Sequence, residues 1–141
     1  MSQPIRIWLE ISHHAAFRVG GWAWVRADGA SLTGQAGGDW RIDAERAALA
    51  GLVAALGKTA GARAVQLHTA SDLVAAIPGR IAAARAGEDP PAANLDLWAQ
   101  ATTALAAAPV TIVRASAGAA TFAGAVRAEL PLPMAEEIWS G

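Results

Sequence analysis

Cysteine is absent from the 141 residues, which excludes disulfides and thiolate metal sites and fits a reducing compartment. No apolar run approaches the roughly 18 residues a membrane helix needs, and the start Met-Ser-Gln-Pro-Ile-Arg lacks a basic stretch followed by an apolar one. The expectation is a soluble, cytoplasmic protein without membrane partners. An excess of basic charge is missing too. Eleven Lys and Arg stand against twelve Asp and Glu, a net charge of −1, and they are spread along the chain, which argues against tight phosphate binding. Large side chains are scarce, because much of the 54% hydrophobic content is alanine and 14 residues are glycine. The core must therefore lean on scattered Leu, Ile and Val and on six tryptophans, in tight and thin packing.

What is present suits one ordinary domain, placed at residues 1–130, with a short acidic, Trp-tipped tail over residues 131–141. Residues 5–11 alternate Ile5, Ile7 and Leu9 with Arg6, Trp8 and Glu10, the period of a strand, so Glu10 shares a face with Trp8. Residues 17–25 form a second strand candidate, in which Gly20-Gly21 permits a bulge or close backbone approach. A turn at Asp28-Gly29 leads to a short third strand over residues 31–35, ending in a Gly37-Gly38 loop.

Asp43 is placed to cap a helix whose Leu49, Leu52, Val53 and Leu56 recur at helical spacing until Gly57. Glu45 lies four, seven and eleven residues before Leu49, Leu52 and Leu56, so it leaves the first turn on the inward stripe. Residues 64–69 read as a strand with Val65 and Leu67 on one face and Gln66 and His68 on the other. Ser71 caps a short helix over residues 72–77, broken by Pro78-Gly79, with another helical turn or two over residues 80–86 before the loop at residues 87–91. Asn94 caps the next helix, with Trp98, Ala101, Thr102 and Leu105 as its stripe. Residues 110–114 form a fifth strand, and residues 118–130 are expected to form a last helix. Three strands, a helix, a strand, helices, a strand and a helix make a mixed-sheet α/β order, because the first helix must cross over to set the fourth strand parallel to the first.

Four pieces of the chain, in order across residues 5–127, resemble the ribonuclease H family. Glu10 followed by Gly20-Gly21-Trp22 is similar to the family's strand-one acid and Gly-Gly-aromatic. Ala44-Glu45-Arg46-Ala47-Ala48-Leu49 is similar to its helix-head acid with an Ala/Leu stripe. Asn94-Leu95-Asp96-Leu97-Trp98 resembles its Asn-x-Asp-Leu-Trp helix start, and Val113-Arg114-Ala115-Ser116-Ala117-Gly118 its Val-Lys-Gly-His-Ala-Gly. The resemblance implies a ribonuclease H-like α/β fold: a five-stranded mixed sheet, three antiparallel strands then two parallel, flanked by helices.

The family holds two Mg²⁺ with four carboxylates, and here the pattern departs. Glu10 stands for the first acid, one methylene longer than Asp, and Glu45 for the second. The third falls on Ala70 within Thr69-Ala70-Ser71, the fourth on or near Val126, and the mobile His reads Ser116. The family's hybrid-contacting loop has become residues 13–19. Two-metal phosphodiester cleavage needs cations about 4 Å apart, held by acids. Glu10 and Glu45 alone can retain at most one weakly bound Mg²⁺ or Mn²⁺, or no ion at all. The expected function is thus a degenerate ribonuclease H-like domain, a pseudoenzyme for hybrid cleavage, serving as a weak RNA- or DNA-binding or protein-assembly module. The alternative is a divergent metal-dependent endonuclease using Glu10, Glu45 and Asp72, the last two residues beyond the missing third acid.

Bland readings stand beside these. Glu10 and Glu45 can be a solvent-accessible remnant, or pair with Arg46, Arg18 or Arg114. Asp72 suits the first turn of a helix, His68 is more often a packed histidine than a ligand, and His13-His14 read as loop surface. Trp22 and Trp24 read as packing. Arg6, Arg18, Arg26, Arg41 and Arg46 come from the part of the chain nearest the family's substrate groove, where weak phosphate contact is the sharper reading and a solvated face the blander. A sheet edge also allows a homodimer.

Overall fold

The computed structural model describes residues 4–28 and 31–115. The expected last helix over residues 118–130, Ser116, Val126 and the tail over residues 131–141 lie outside the described residues. Within them the chain runs β1 (Ile5–His14), β2 (Val19–Asp28), β3 (Ser31–Trp40), α1 (Ala44–Ala55), β4 (Val65–Thr69), α2 (Asp72–Arg85), α3 (Leu95–Ala106) and β5 (Val110–Arg114). The strands form one sheet in the order β3-β2-β1-β4-β5. β3 and β1 pair antiparallel with β2, while β4 runs parallel to β1 and β5 parallel to β4. This is the five-stranded mixed sheet expected, three antiparallel strands followed by two parallel ones.

Cross-strand partners fix the faces. Leu9 opposes Trp24 and Ile7 opposes Arg26, so Ile7, Leu9, Ile11, Trp22 and Trp24 share one face. That face, with Val65 and Leu67 of β4, joins Leu49 and Leu52 of α1, Val74 and Ile77 of α2 and Leu97, Trp98 and Ala101 of α3 in one buried cluster. All three described helices thus lie on the same side of the sheet. The opposite face carries Arg6, Trp8, Glu10, Gln66 and His68, with Ala23, Val25 and Ala27 buried between them.

Thin packing shows at α1. Ala47, Ala48 and Ala55 are buried, and Gly51 lets the helix approach so closely that a Cβ there would lie 2.6 Å from Ile11 Cδ1 and 2.9 Å from Trp22 Cβ. Asp43 caps α1 as expected, its side chain accepting from the Arg46 amide at 2.6 Å. At the other end Arg26 reaches across from β2 and donates to the carbonyls of Ala55 and Gly57 at 3.0 and 2.5 Å, satisfying acceptors the helix leaves open.

Several sequence expectations are corrected. β3 does not end before Gly37-Gly38 but continues to Trp40, with Gly37 paired to Trp22 and Gly38 to Gly21. The glycines serve packing here: a Cβ on Gly37 would meet the Trp22 ring at 2.4 Å. α2 is continuous through Pro78-Gly79, because Val74 and Ile77 before the proline and Ile81 after it seat on the same core, and that burial outweighs the lost backbone bond. β1 extends to His14, and β2 begins at Val19 rather than Phe17. Asn94 precedes α3 in the left-handed conformation (φ 57°) without capping it, since its side chain is used elsewhere.

Candidate functional site

β1 and β4 run parallel with Trp8 level with His68, so their carboxyl ends finish on the same edge of the sheet. Glu10 lies two residues beyond Trp8 on β1, and Ala70 follows directly on the end of β4 at Thr69. α1 starts at that edge as well, because the Ile42 amide donates to the Arg18 carbonyl at 3.0 Å. Glu10, Ala70, the head of α1 and the head of α2 therefore gather at one end of the sheet, the arrangement in which crossover folds place ligands.

Glu10 sits half-buried opposite Ala23, on the sheet face away from the helices. Among the described residues it has no ion-pair partner. Burial pushes its carboxyl above the ordinary value.

Glu45 is arranged oppositely. From the first turn of α1 its carboxylate accepts from the Arg80 guanidinium of α2, in a short ion pair, and from Asn94 Nδ2 at 2.9 Å. Arg80 in turn lies over the Trp98 ring at 4.6 Å. Beside this pair Arg46 makes a forked contact to Asp96, at 3.1 and 3.0 Å, and donates to Asn94 Oδ1 at 3.3 Å. The Arg46 guanidinium, mainly through this hydrogen bond, holds the Asp96 carboxyl below its ordinary value. The head of α1 is thus tied to α2 and α3 by a polar cluster. The sequence expectation that Arg46, Arg18 or Arg114 would pair with the glutamates is corrected: Arg46 takes Asp96, Arg114 takes Asp72, and Arg80 takes Glu45. Sequence reasoning missed Arg80 because it broke α2 at Pro78-Gly79. The available signal was the continuous helical stripe of Val74, Ile77 and Ile81, with Arg80 beside it.

Asp72 stands in the first turn of α2, its side chain 95% exposed, in a short ion pair with Arg114 at the end of β5. Arg114 also donates to the Ser71 carbonyl at 2.7 Å, so this pair closes the β4–α2 and β5 ends on each other. His68 stacks on Trp8 with ring centroids 5.4 Å apart, and its Nε2 is buried without a hydrogen-bond partner among the described residues. Burial first and Arg6 second push its imidazole below the ordinary value, so it is a packed neutral histidine. His13 Nε2 lies 2.8 Å from the Ile42 carbonyl, which ties the β1–β2 turn to the segment before α1, and His14 is exposed.

These residues do not fit a pair of divalent cations. Arg80 and Asn94 already engage both oxygens of Glu45, Asp72 faces Arg114, and Ala70 offers a methyl group. Among the described residues no group of three or more His, Cys, Asp or Glu can hold a metal ion. Of the acids read from the sequence, the structure brings Glu10 and Glu45 to one end of the sheet but gives them separate surroundings.

No family model matches the chain, and no curated protein matches it in sequence. Solved structures do match in fold. The N-terminal RNase H domain of a Mycobacterium tuberculosis protein, solved as a fusion with maltose-binding protein, aligns over 79% of this chain and 85% of that one at 15% identity and a TM-score of 0.56. RNase H1 from the halophilic archaeon Halobacterium salinarum aligns over 79% and 86% at 17% identity, also with a TM-score of 0.56. The chain has an RNase H-like fold.

Proposed function

We propose that this RNase H-like domain binds nucleic acid weakly and does not cleave RNA–DNA hybrids by paired metal ions. One observation carries the reading: the Glu45 carboxylate is engaged by Arg80 and Asn94. A guanidinium already neutralises that acid, so a cation recruited there would have to displace a charge-assisted bond and approach the Arg80 charge. Glu10 adds little, since its half-buried setting disfavours the ionised form a metal requires. With an alanine, Ala70, directly after the end of β4, the carboxylate charge needed for two Mg²⁺ is not gathered.

Weak binding follows from the charge balance. A net charge of −1 gives no long-range attraction for phosphates, so contact must come from a few local groups at the sheet end. The test mixes the purified chain with fluorescent RNA–DNA hybrid, duplex and single strands in Mg²⁺ or Mn²⁺. The expected result is no cleavage, together with binding that weakens as salt rises. Cleavage that Glu45→Gln abolishes would overturn the reading and favour a divergent nuclease using Glu10, Glu45 and Asp72. Absence of binding to every nucleic acid would overturn it in favour of a protein-assembly role.

A further inference from the structure

The protein places its aromatic residues unevenly. Trp8, Trp24 and Trp98 are buried, and Trp22 is accommodated half-buried because glycines stand at 37 and 51. Phe17 and Trp40, by contrast, are 76% and 75% exposed. Both belong to one corner. Phe17 sits in the turn joining β1 to β2, and Trp40 ends β3 opposite Val19. Only Arg18 lies between Phe17 and that rung, and two Cα steps of about 3.8 Å plus one strand spacing of about 5 Å root the two rings within about 13 Å of each other.

The corner is fixed rather than frayed. The Phe17 amide donates to the His14 carbonyl at 3.2 Å and the Arg18 amide to that of Ala15 at 3.3 Å. Ile42 then joins the two segments, its amide donating to the Arg18 carbonyl and its carbonyl lying against His13 Nε2. Each ring is followed at once by an exposed arginine, Arg18 and Arg41, both at positive φ (51° and 57°). Among the described residues neither guanidinium makes an ion pair or hydrogen bond. The adjacent acids are engaged locally: Asp39 accepts from the Trp40 amide and Asp43 from that of Arg46.

Two exposed rings on a fixed support, each beside an unpaired cation, match the chemistry of a strand whose bases are unpaired. Bases stack on aromatic faces while arginines meet the phosphates, and base-paired nucleic acid has no free base face to offer. We infer that the Phe17-Arg18 and Trp40-Arg41 corner is a binding site for single-stranded nucleic acid. The inference rests on the nucleic-acid reading above and names its ligand class and site.

The test is fluorescence anisotropy of the full chain with a labelled single-stranded oligonucleotide, a duplex of the same sequence, and the RNA–DNA hybrid. The single strand should bind most tightly, with a shallow salt slope of about −1.4 for two phosphate contacts. Trp40→Ala and Phe17→Ala should each weaken it at least about fivefold, Trp40→Phe should retain most of it, and thermal melting should be unchanged in all three. Duplex or hybrid binding that ignores Trp40→Ala would overturn the inference and leave the nucleic-acid reading standing. No binding of any nucleic acid would overturn both. So would self-association by sedimentation that Trp40→Ala abolishes while no oligonucleotide binds.

Discussion

The helix side of the sheet and the corner at the β1–β2 turn are built from the same scarce stock of large residues, but to opposite ends. On the helix side most large groups are packed inward, although Trp24 Nε1, Arg26 Nε and Trp98 Nε1 are buried without a hydrogen-bond partner among the described residues. Trp24 is buried in the core with Leu9 and Leu52, Arg26 reaches the last carbonyls of α1, and Arg80 lies between Glu45 and the Trp98 ring. At the corner two rings are exposed and two guanidinium groups lack partners among the described residues. A protein so poor in large side chains does not need those rings outside for its own stability. The difference therefore separates residues that hold the fold from residues available to a ligand, and substitutions on the two sides should divide accordingly.

The largest effect is expected where α1 meets the sheet. Alanine ordinarily stabilises a helix interior over glycine by up to about 1 kcal/mol. At Gly51 the sign should reverse, because the new methyl group would press on Ile11 and on the Cβ of Trp22, which cannot swing away. Gly51→Ala should destabilise the protein by about 1–3 kcal/mol, measured by urea unfolding. A stabilised variant would mean that α1 is seated more loosely than described.

Next comes the polar cluster that closes the interior. Arg80→Ala removes the ion pair with Glu45 and the contact over Trp98 together. Both groups remain partly open to water, with side-chain exposures of 39% and 29%, which moderates the expected cost to about 1–2 kcal/mol. Glu45→Gln keeps the shape and one acceptor and should cost less. If Arg80→Ala instead leaves stability unchanged and creates measurable Mn²⁺ binding by calorimetry, Glu45 is a metal ligand held in reserve rather than part of the scaffold.

How far each region was legible follows from the same contrast. Strand order was readable because Ile5, Ile7 and Leu9 alternate with Arg6, Trp8 and Glu10, and because helix α1 between two apolar strands implies a parallel crossover. The caps at Asp43 and Ser71 follow from local backbone chemistry, and both side chains accept from the first turns of α1 and α2. Tertiary packing overrode local rules elsewhere. Pro78-Gly79 reads as a break, yet burial of Val74, Ile77 and Ile81 on either side carries α2 through it; Gly37-Gly38 reads as a loop until the Trp22 ring needs the space. At the site, the positions of Glu10 and Glu45 along the chain are legible from the residues, but their partners are not. Arg80 and Asn94 are 35 and 49 residues from Glu45, and no local pattern joins them.

Between the two regions stands Glu10, and its pH dependence sharpens the contrast. Its folded-state acidity is weakened relative to the ordinary value of 4.5, so folding favours the protonated acid. Well below that value Glu10 is protonated in folded and unfolded chains alike, and Glu10→Gln should be neutral. As pH rises, the unfolded chain ionises first and the wild-type fold loses stability, until the pH exceeds the raised folded value and the deficit levels off. Glu10→Gln escapes that loss. The variant should therefore melt higher than the wild type at about pH 8 and together with it at about pH 3. A variant that melts lower at the higher pH would reveal a partner stabilising the charged form.

The smallest stability effect belongs to the corner itself. Arg41→Ala removes an exposed guanidinium with no ion pair among the described residues, and surface changes of this kind stay within about 0.5 kcal/mol. The backbone separates glycine from alanine at this position. Residue 41 sits at φ 57°, a conformation alanine tolerates no better than arginine, so Arg41→Gly should be neutral or mildly stabilising where Arg41→Ala is neutral or mildly destabilising. Denaturant midpoints of the two variants decide this. A loss well above 1 kcal/mol in both would show that the Arg41 side chain helps to hold the β3–α1 junction, and the division between scaffold and open corner would then fail at the residue where it should be clearest.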